Sequence, residues 1–506
     1  MLKTSVAARA VAFLWRTLLD SRIFGILEAV TVYFAFAYRQ STLRKIILGT
    51  GNIEKYTDSS VFYNILCKIA SFFTSFFVNT ALAISHAAKN SFIAKAYTLL
   101  SNGSFLFDSK NFFALCIMVI FLVPHELWNN MYALIIALFL CIVYVFCLAR
   151  GKRLGQNAAS IPFQLILFLF SLMAAVVISN DTSDSIRIFV FFITSYLLCL
   201  VSYGSIEDKN GLESFARIIY YTLLIASAYG FLQRLMGVEA DASFTDLTLN
   251  KDMPGRVYGT MGNPNNYAEY LMVFLPYAFA YAMTRKDADR KMFCLAGLIL
   301  PLGAMLTTYS RSSWIALAAA CVLYVFVFNY RLIPVFAAAV ICAVPFIPQS
   351  IYNRILTIGN TNDSSSSYRI TIWTGVLDML KEYWFTGVGL GPAAFTRVFQ
   401  NYAIGDTVVA RHSHMQFLEM MVEGGILSFV SYIWLLVSII KRCCHKAVSA
   451  LDPSTKYFAA ASASSVAGIA LIGMFEYCWF YPRVMFAFFI SIGLCLAVLR
   501  VFPDKK

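Results

Sequence analysis

Two histidines and a few arginines carry most of the chemistry this sequence can offer. His412 and His414 flank Ser413, with Arg411 directly before them, and the whole chain holds only five histidines. A neutral imidazole can take a proton from an attacking hydroxyl or hold that hydroxyl in place. Arg256 stands ahead of Gly259-Thr260-Met261-Gly262-Asn263-Pro264-Asn265-Asn266. Arg311 lies within Thr307-Thr308-Tyr309-Ser310-Arg311-Ser312-Ser313-Trp314, and Arg369 opens Tyr368-Arg369-Ile370-Thr371-Ile372-Trp373. The planar guanidinium fork matches phosphate oxygens. Arg311 and Arg369 beside an outward histidine suit the diphosphate of a lipid-linked donor. Glu419 and Glu423 stand one helical turn apart after the histidines, where they can orient His414 or an arginine. Twelve cysteines occur without a CxxC pair or metal-ligand spacing, so neither a metal site nor a cofactor is expected.

These side chains need a scaffold, and composition says which. Forty Lys and Arg against 27 Asp and Glu give a net charge of +13, yet only 13% of residues are charged and 59% are hydrophobic. A soluble domain carries about 25% charged residues. The chain therefore belongs in a bilayer, not in the cytosol or a secreted scaffold. A spanning helix needs about 20 mostly apolar residues. That ruler gives spans near 111–125, 131–149, 161–179, 184–203, 214–236, 267–284, 291–309, 312–329, 332–349, 415–440, 457–475 and 479–500. The expected fold is an all-α polytopic membrane protein of about twelve transmembrane helices, with no internal repeat.

Basic residues set the orientation. One set of loops holds Arg150, Lys152, Arg153, Lys209, Arg285, Lys286, Arg290, Lys291, Arg331, Lys441, Arg442, Lys446 and Lys456, and the tail ends in Lys505 and Lys506. The alternate loops near 125–130, 180–185, 309–311 and 475–483 are nearly bare of Lys and Arg. The basic loops and both termini are thus expected in the cytoplasm, with the arginines and histidines above facing outward. Two outward segments exceed the length of a connector: 237–266, and a large extracytoplasmic loop over 350–413. The organisation expected is a basic amphipathic extension over 1–110 on the inner leaflet, spans over 111–349, the large loop, then spans and tail over 414–506.

The run from His414 to Ser428 resembles the signature of the O-antigen ligase and polymerase (Wzy-C) superfamily. That signature is His, then Asn, Ser or Gln, nine residues, Gly, two residues, and Gly, Thr or Tyr. His414 and Gly425 fit; Met415 and Ser428 depart from it. A register begun at His412-Ser413 misses the glycine. Ser310-Arg311 ahead of a span is similar to the family's Ser-Arg motif. Arg369, Trp373 and Gly387-Val388-Gly389-Leu390-Gly391-Pro392 resemble its arginine and glycine stretch, and Asn263-Pro264-Asn265 its entry into a span. The resemblance covers roughly 250–440.

It implies a GT-C-like glycosyltransferase of the bacterial inner membrane with an extracytoplasmic site. The donor would be a polyprenyl-diphosphate-linked glycan and the acceptor a sugar hydroxyl, with membrane lipids as surroundings and no metal or nucleic acid involved. Arg311 and Arg369 would hold the diphosphate, and His414 would act as base or position the acceptor. Arg256, Asn263, Asn265, Trp373, Arg411, His412, Glu419 and Glu423 would contact substrate. A ligase acceptor (a lipid core) and a polymerase acceptor (another lipid-linked repeat) both fit. A flippase for lipid-linked oligosaccharide is the rival class; it would place ionisable groups at mid-membrane and show repeated halves.

Overall fold

The computed structural model describes residues 22–42, scattered positions between 44 and 99, and 109–151, 162–238, 255–360 and 363–502. Most of the expected amino-terminal extension and the middle of the 237–266 loop lie outside the described residues. Among the described residues the regular elements are all helical. In chain order they are α1 (Arg22–Gln40), α2 (Ser109–Leu122), a 3-10 turn (His125–Leu127), α3 (Asn130–Gly151), α4 (Phe163–Val177), α5 (Thr182–Ser205) and α6 (Lys209–Leu235). There follow α7 (Pro264–Met283), α8 (Ala288–Gly297), α9 (Ile299–Thr307), α10 (Arg311–Asn329), α11 (Ile333–Ala343), α12 (Gln349–Leu356) and α13 (Ser364–Tyr383). The last are α14 (Pro392–Phe399), α15 (Gln416–Ser449), α16 (Pro453–Ile472) and α17 (Pro482–Val501).

Helix starts follow from local chemistry. The side chain of Asp181 accepts from Asp184 N at 3.1 Å, that of Asp208 from Gly211 N at 2.7 Å, and that of Asp452 from Thr455 N at 2.9 Å. Each satisfies an amide that the first turn leaves without a partner. Seven described segments are long and apolar enough to cross a membrane: Thr182–Ser205, Lys209–Leu235, Ala288–Thr307, Arg311–Phe346, Gln416–Ser449, Pro453–Ile472 and Pro482–Val501. The apolar parts of α2, α3 and α4 (Asn111–Leu122, Asn130–Tyr144, Phe163–Val177) are shorter. The other departures from twelve have two causes. The α7 helix opens on Asn265, Asn266 and Glu269 and carries Pro276, which lowers its apolarity. The expected pair at 312–329 and 332–349 forms one continuous apolar run.

The α16 helix packs against α7, α10 and α15, while α17 lies along α5. Its stretch from Ala459 to Ser465 is buried throughout. Small side chains there let neighbouring backbones approach closely, and Ser465 Oγ donates to Val273 O at 2.6 Å. The 350–413 segment is largely helical and encloses a second, smaller core of Ile372, Val376, Met379, Phe395 and Phe399. At the far end of α10, the Tyr38 ring of α1 packs on Phe326 and Tyr330, each at 4.9 Å between centroids.

Candidate functional site

A cavity of about 870 Å³ opens where the amino-terminal ends of α7, α10 and α13 meet the segments that lead into α15 and α17. Arg256, Arg311, Arg354 and Arg369 line it, with His412, His414, Asn263, Asn265, Glu269 and Glu476. Arg311, Arg369 and His414, spread over a hundred residues of sequence, thus share one wall-to-wall space.

The cations are held in two groups. Arg311 donates to both oxygens of Asp363, at 3.0 and 3.3 Å, and to Thr357 O at 3.0 Å. Arg354 approaches the same carboxylate at 3.8 Å and donates to Tyr309 O at 3.3 Å. Asp363 is buried, so one carboxylate stands between two guanidiniums. On the opposite side Arg369 donates to Glu476 Oε1. Asn265 Nδ2 donates to that same oxygen at 3.0 Å, while Asn265 Oδ1 accepts from Arg256 at 2.6 Å. Burial, reinforced by Arg354, Arg369 and Arg311, pushes Arg256 down to about 9, against the pull of Glu476. So dense a set of guanidiniums favours an incoming anion.

The histidine loop is positioned from behind. Glu419 Oε2 accepts from Ser413 N at 2.6 Å, and Trp373 Nε1 donates to Ser413 O at 2.9 Å. His414 N donates to His412 Nδ1 at 3.1 Å; the proton of neutral His412 therefore sits on Nε2. His414 has φ of 54°, a left-handed conformation rare outside glycine and asparagine. Its ring lies 4.0 Å from that of His412. Burial and Arg369 push His414 down to about 3, and burial, His414 and Arg369 hold His412 well below its usual range. Both rings are neutral at pH 7.

The α15 helix breaks a little over two turns from its start, at Gly424 and Gly425. The break frees backbone groups: Val422 O accepts from Val388 N at 2.8 Å, Glu423 O from Gly389 N at 3.0 Å, and Ile426 N donates to Trp384 O at 2.9 Å. Glu423 Oε1 accepts from Gly391 N at 2.9 Å and from Tyr477 OH at 3.1 Å. Gly425 has φ of 63°, and a Cβ there would lie 2.1 Å from Phe385 O. Only glycine fits.

The O-antigen ligase family matches residues 296–433. No curated protein matches the chain. The ligase match includes Arg311, Arg354, Arg369, Trp373, both histidines and the Gly424-Gly425 break; Arg256, Asn263, Asn265, Glu269 and Glu476 stand outside it. The seven apolar segments and this ligase match make the chain a membrane protein.

Within the ligase match and its flanks, the sequence-derived residues divide by position. Arg256, Asn263, Asn265, Arg311, Arg369, His412 and His414 line the cavity. Trp373, Glu419 and Glu423 do not; they hold backbone behind it. Arg411 is exposed and away from the lining. Sequence reasoning missed Arg354, although an arginine in an outward loop was the same signal that singled out Arg311. It also missed Asp363, Glu269 and Glu476, single acids with no local pattern. His125 Nδ1 lies 3.0 Å from Tyr481 OH, on the cavity wall. Arg483 sits in a loop read as nearly bare of cations, and is fully buried. It donates to Val123 O at 2.6 Å and Thr260 O at 2.7 Å and lies 4.6 Å from the Trp128 ring, tying three loops together. Among the described residues no three His, Cys, Asp or Glu side chains gather as metal ligands.

Proposed function

We propose that this protein transfers glycan from a polyprenyl-diphosphate-linked donor to an acceptor sugar hydroxyl at the outer face of a bacterial inner membrane. The observation that carries this reading is the single cavity lined by Arg256, Arg311, Arg354 and Arg369 together with His412 and His414. The acceptor oxygen attacks the anomeric carbon opposite the diphosphate, inverting it, and the leaving group departs with the bonding electrons. Arg311 and Arg369 stabilise the charge that grows on the bridging oxygen, as cations fixed in place before the reaction. No metal is needed for that task. His414 positions the acceptor hydroxyl, with Asn263 and Asn265 near the sugar. Trp373, Glu419 and Glu423 serve by placing the histidine loop and the glycine stretch.

The lipid tail has a place to go. A recess of about 500 Å³ lies between α3 and α5, lined by Trp128, Met131, Leu134, Val190 and Phe191 among others, and shares His125, Asn130 and Tyr481 with the cavity. The first isoprene units of the donor would lie there. In this reading α2, α3, α4 and α7 also cross and the Arg311–Phe346 run crosses twice, which makes about twelve crossings with both termini in the cytoplasm. The test is direct: Arg311→Ala, Arg369→Ala and His414→Ala proteins are expected to lose the surface glycan product in the native host, measured per amount of protein accumulated. Full product from all three would end the proposal.

A further inference from the structure

The cavity holds an acid that the proposed chemistry has not used. Glu269 lines it, is 1% exposed, and its Oε2 has no hydrogen-bond partner. It stands one turn after Asn265 on the same face of α7. The other lining carboxylate, Glu476, already accepts from Arg369 and Asn265. A buried carboxylate oxygen without a donor is costly, and such groups persist where a ligand completes them. A sugar hydroxyl is a donor of the right kind. Neutral His414, held down to about 3 by burial and Arg369, is a weak sink for a proton.

We propose that Glu269 is a catalytic residue whose carboxylate, in its ionised form, binds the acceptor hydroxyl and receives its proton. This rests on the glycan-transfer reading above. The acceptor O–H proton passes to the Glu269 carboxylate as the oxygen forms its bond to the anomeric carbon. The bond from that carbon to the phosphate oxygen breaks, and its electron pair leaves with the lipid diphosphate. The neutral acid then returns its proton to water through the cavity mouth. Charged and titratable neighbours of Glu269 are Glu476 and Cys478 on the segment leading to α17 and Arg369 on α13.

Two measurements test the assignment in the full-length protein: binding of undecaprenyl diphosphate by thermal shift, and glycan transfer across pH in native-host membranes carrying their own radiolabelled lipid-linked glycan. Glu269→Gln is expected to bind undecaprenyl diphosphate like the wild type while transfer falls by about 100-fold or more. It should also lose the acidic limb of the pH profile, whereas Glu269→Asp keeps that limb and at least about a tenth of the rate. Transfer by Glu269→Gln within about threefold of wild type would overturn the proposal. So would equal losses in both variants with the profile unchanged in shape, since that marks a structural role. If Glu269→Gln does not accumulate, Glu269→Asp decides: a slowed rate with a displaced acidic limb supports the role, and a wild-type rate and profile overturns it. Arg311→Ala separates the two levels. Its failure to bind undecaprenyl diphosphate upholds the underlying reading whatever Glu269 does, and wild-type binding and transfer would remove both.

Discussion

Replacing Gly425 by alanine tests whether the break in α15 holds the site together. The residue has φ of 63° and ψ of −162°, a region that costs a side chain about 1–3 kcal/mol. The new Cβ would also meet Phe385 O at 2.1 Å and Thr386 C at 2.8 Å, so the 384–389 segment must withdraw. Withdrawal breaks the Ile426–Trp384 and Val388–Val422 backbone bonds. With about 1 kcal/mol for each lost bond, the whole penalty is about 3–5 kcal/mol. Gly405 supplies the control: its φ is 57°, but nothing lies within 4 Å of a Cβ there, so alanine costs only the left-handed strain of about 1–2 kcal/mol. Denaturant unfolding of both purified variants in micelles measures the difference. If Gly425→Ala is no more destabilising than Gly405→Ala, the close approach of the two segments does not exist as described. Glycan product should fall with Gly425→Ala, because Glu423 then loses its hold on Gly391.

Asp363→Asn removes the charge between Arg311 and Arg354, and breaking a buried pair in this way costs about 3–5 kcal/mol; inorganic diphosphate should raise its melting temperature more than the wild type's. Trp373→Phe loses the indole bond to Ser413 O, worth about 1 kcal/mol, and is expected to lower glycan product several-fold at unchanged accumulation. The unfolded chain protonates its histidines near 6.5, but folded His414 does so only near 3, so protons bind the unfolded state first as pH falls. Stability is therefore full above pH 6.5 and declines below it toward pH 3; unfolding midpoints of wild type and His414→Asn between pH 8 and 4 should show the flatter curve for the variant.

Several parts of this arrangement were readable in the sequence, and physics explains which. Long apolar runs force helices in a bilayer, so the helical class followed directly. Arginines in loops expected to face outward are costly enough to be noticed one by one, and Arg256, Arg311 and Arg369 line one cavity with His412 and His414. Their acidic partners were not readable. Asp363 is 52 residues from Arg311, and Glu476 is 107 from Arg369, so no spacing announces either pair. Glu419 and Glu423 were placed near His414 or an arginine because helical spacing shows faces; it does not show that each carboxylate turns to a backbone amide. The number of segments long and apolar enough to cross falls below twelve where polar residues enter a helix start, as in α7, and where two runs join, as after Arg311.

The stitching of Val388, Gly389 and Ile426 across the break in α15 has a mechanical meaning. It ties the small second core to the bundle through main chain. Lifting that core off α15 would break three backbone hydrogen bonds at a cost of about 1 kcal/mol each. With the core seated, the way to the arginines is the open side of the cavity itself.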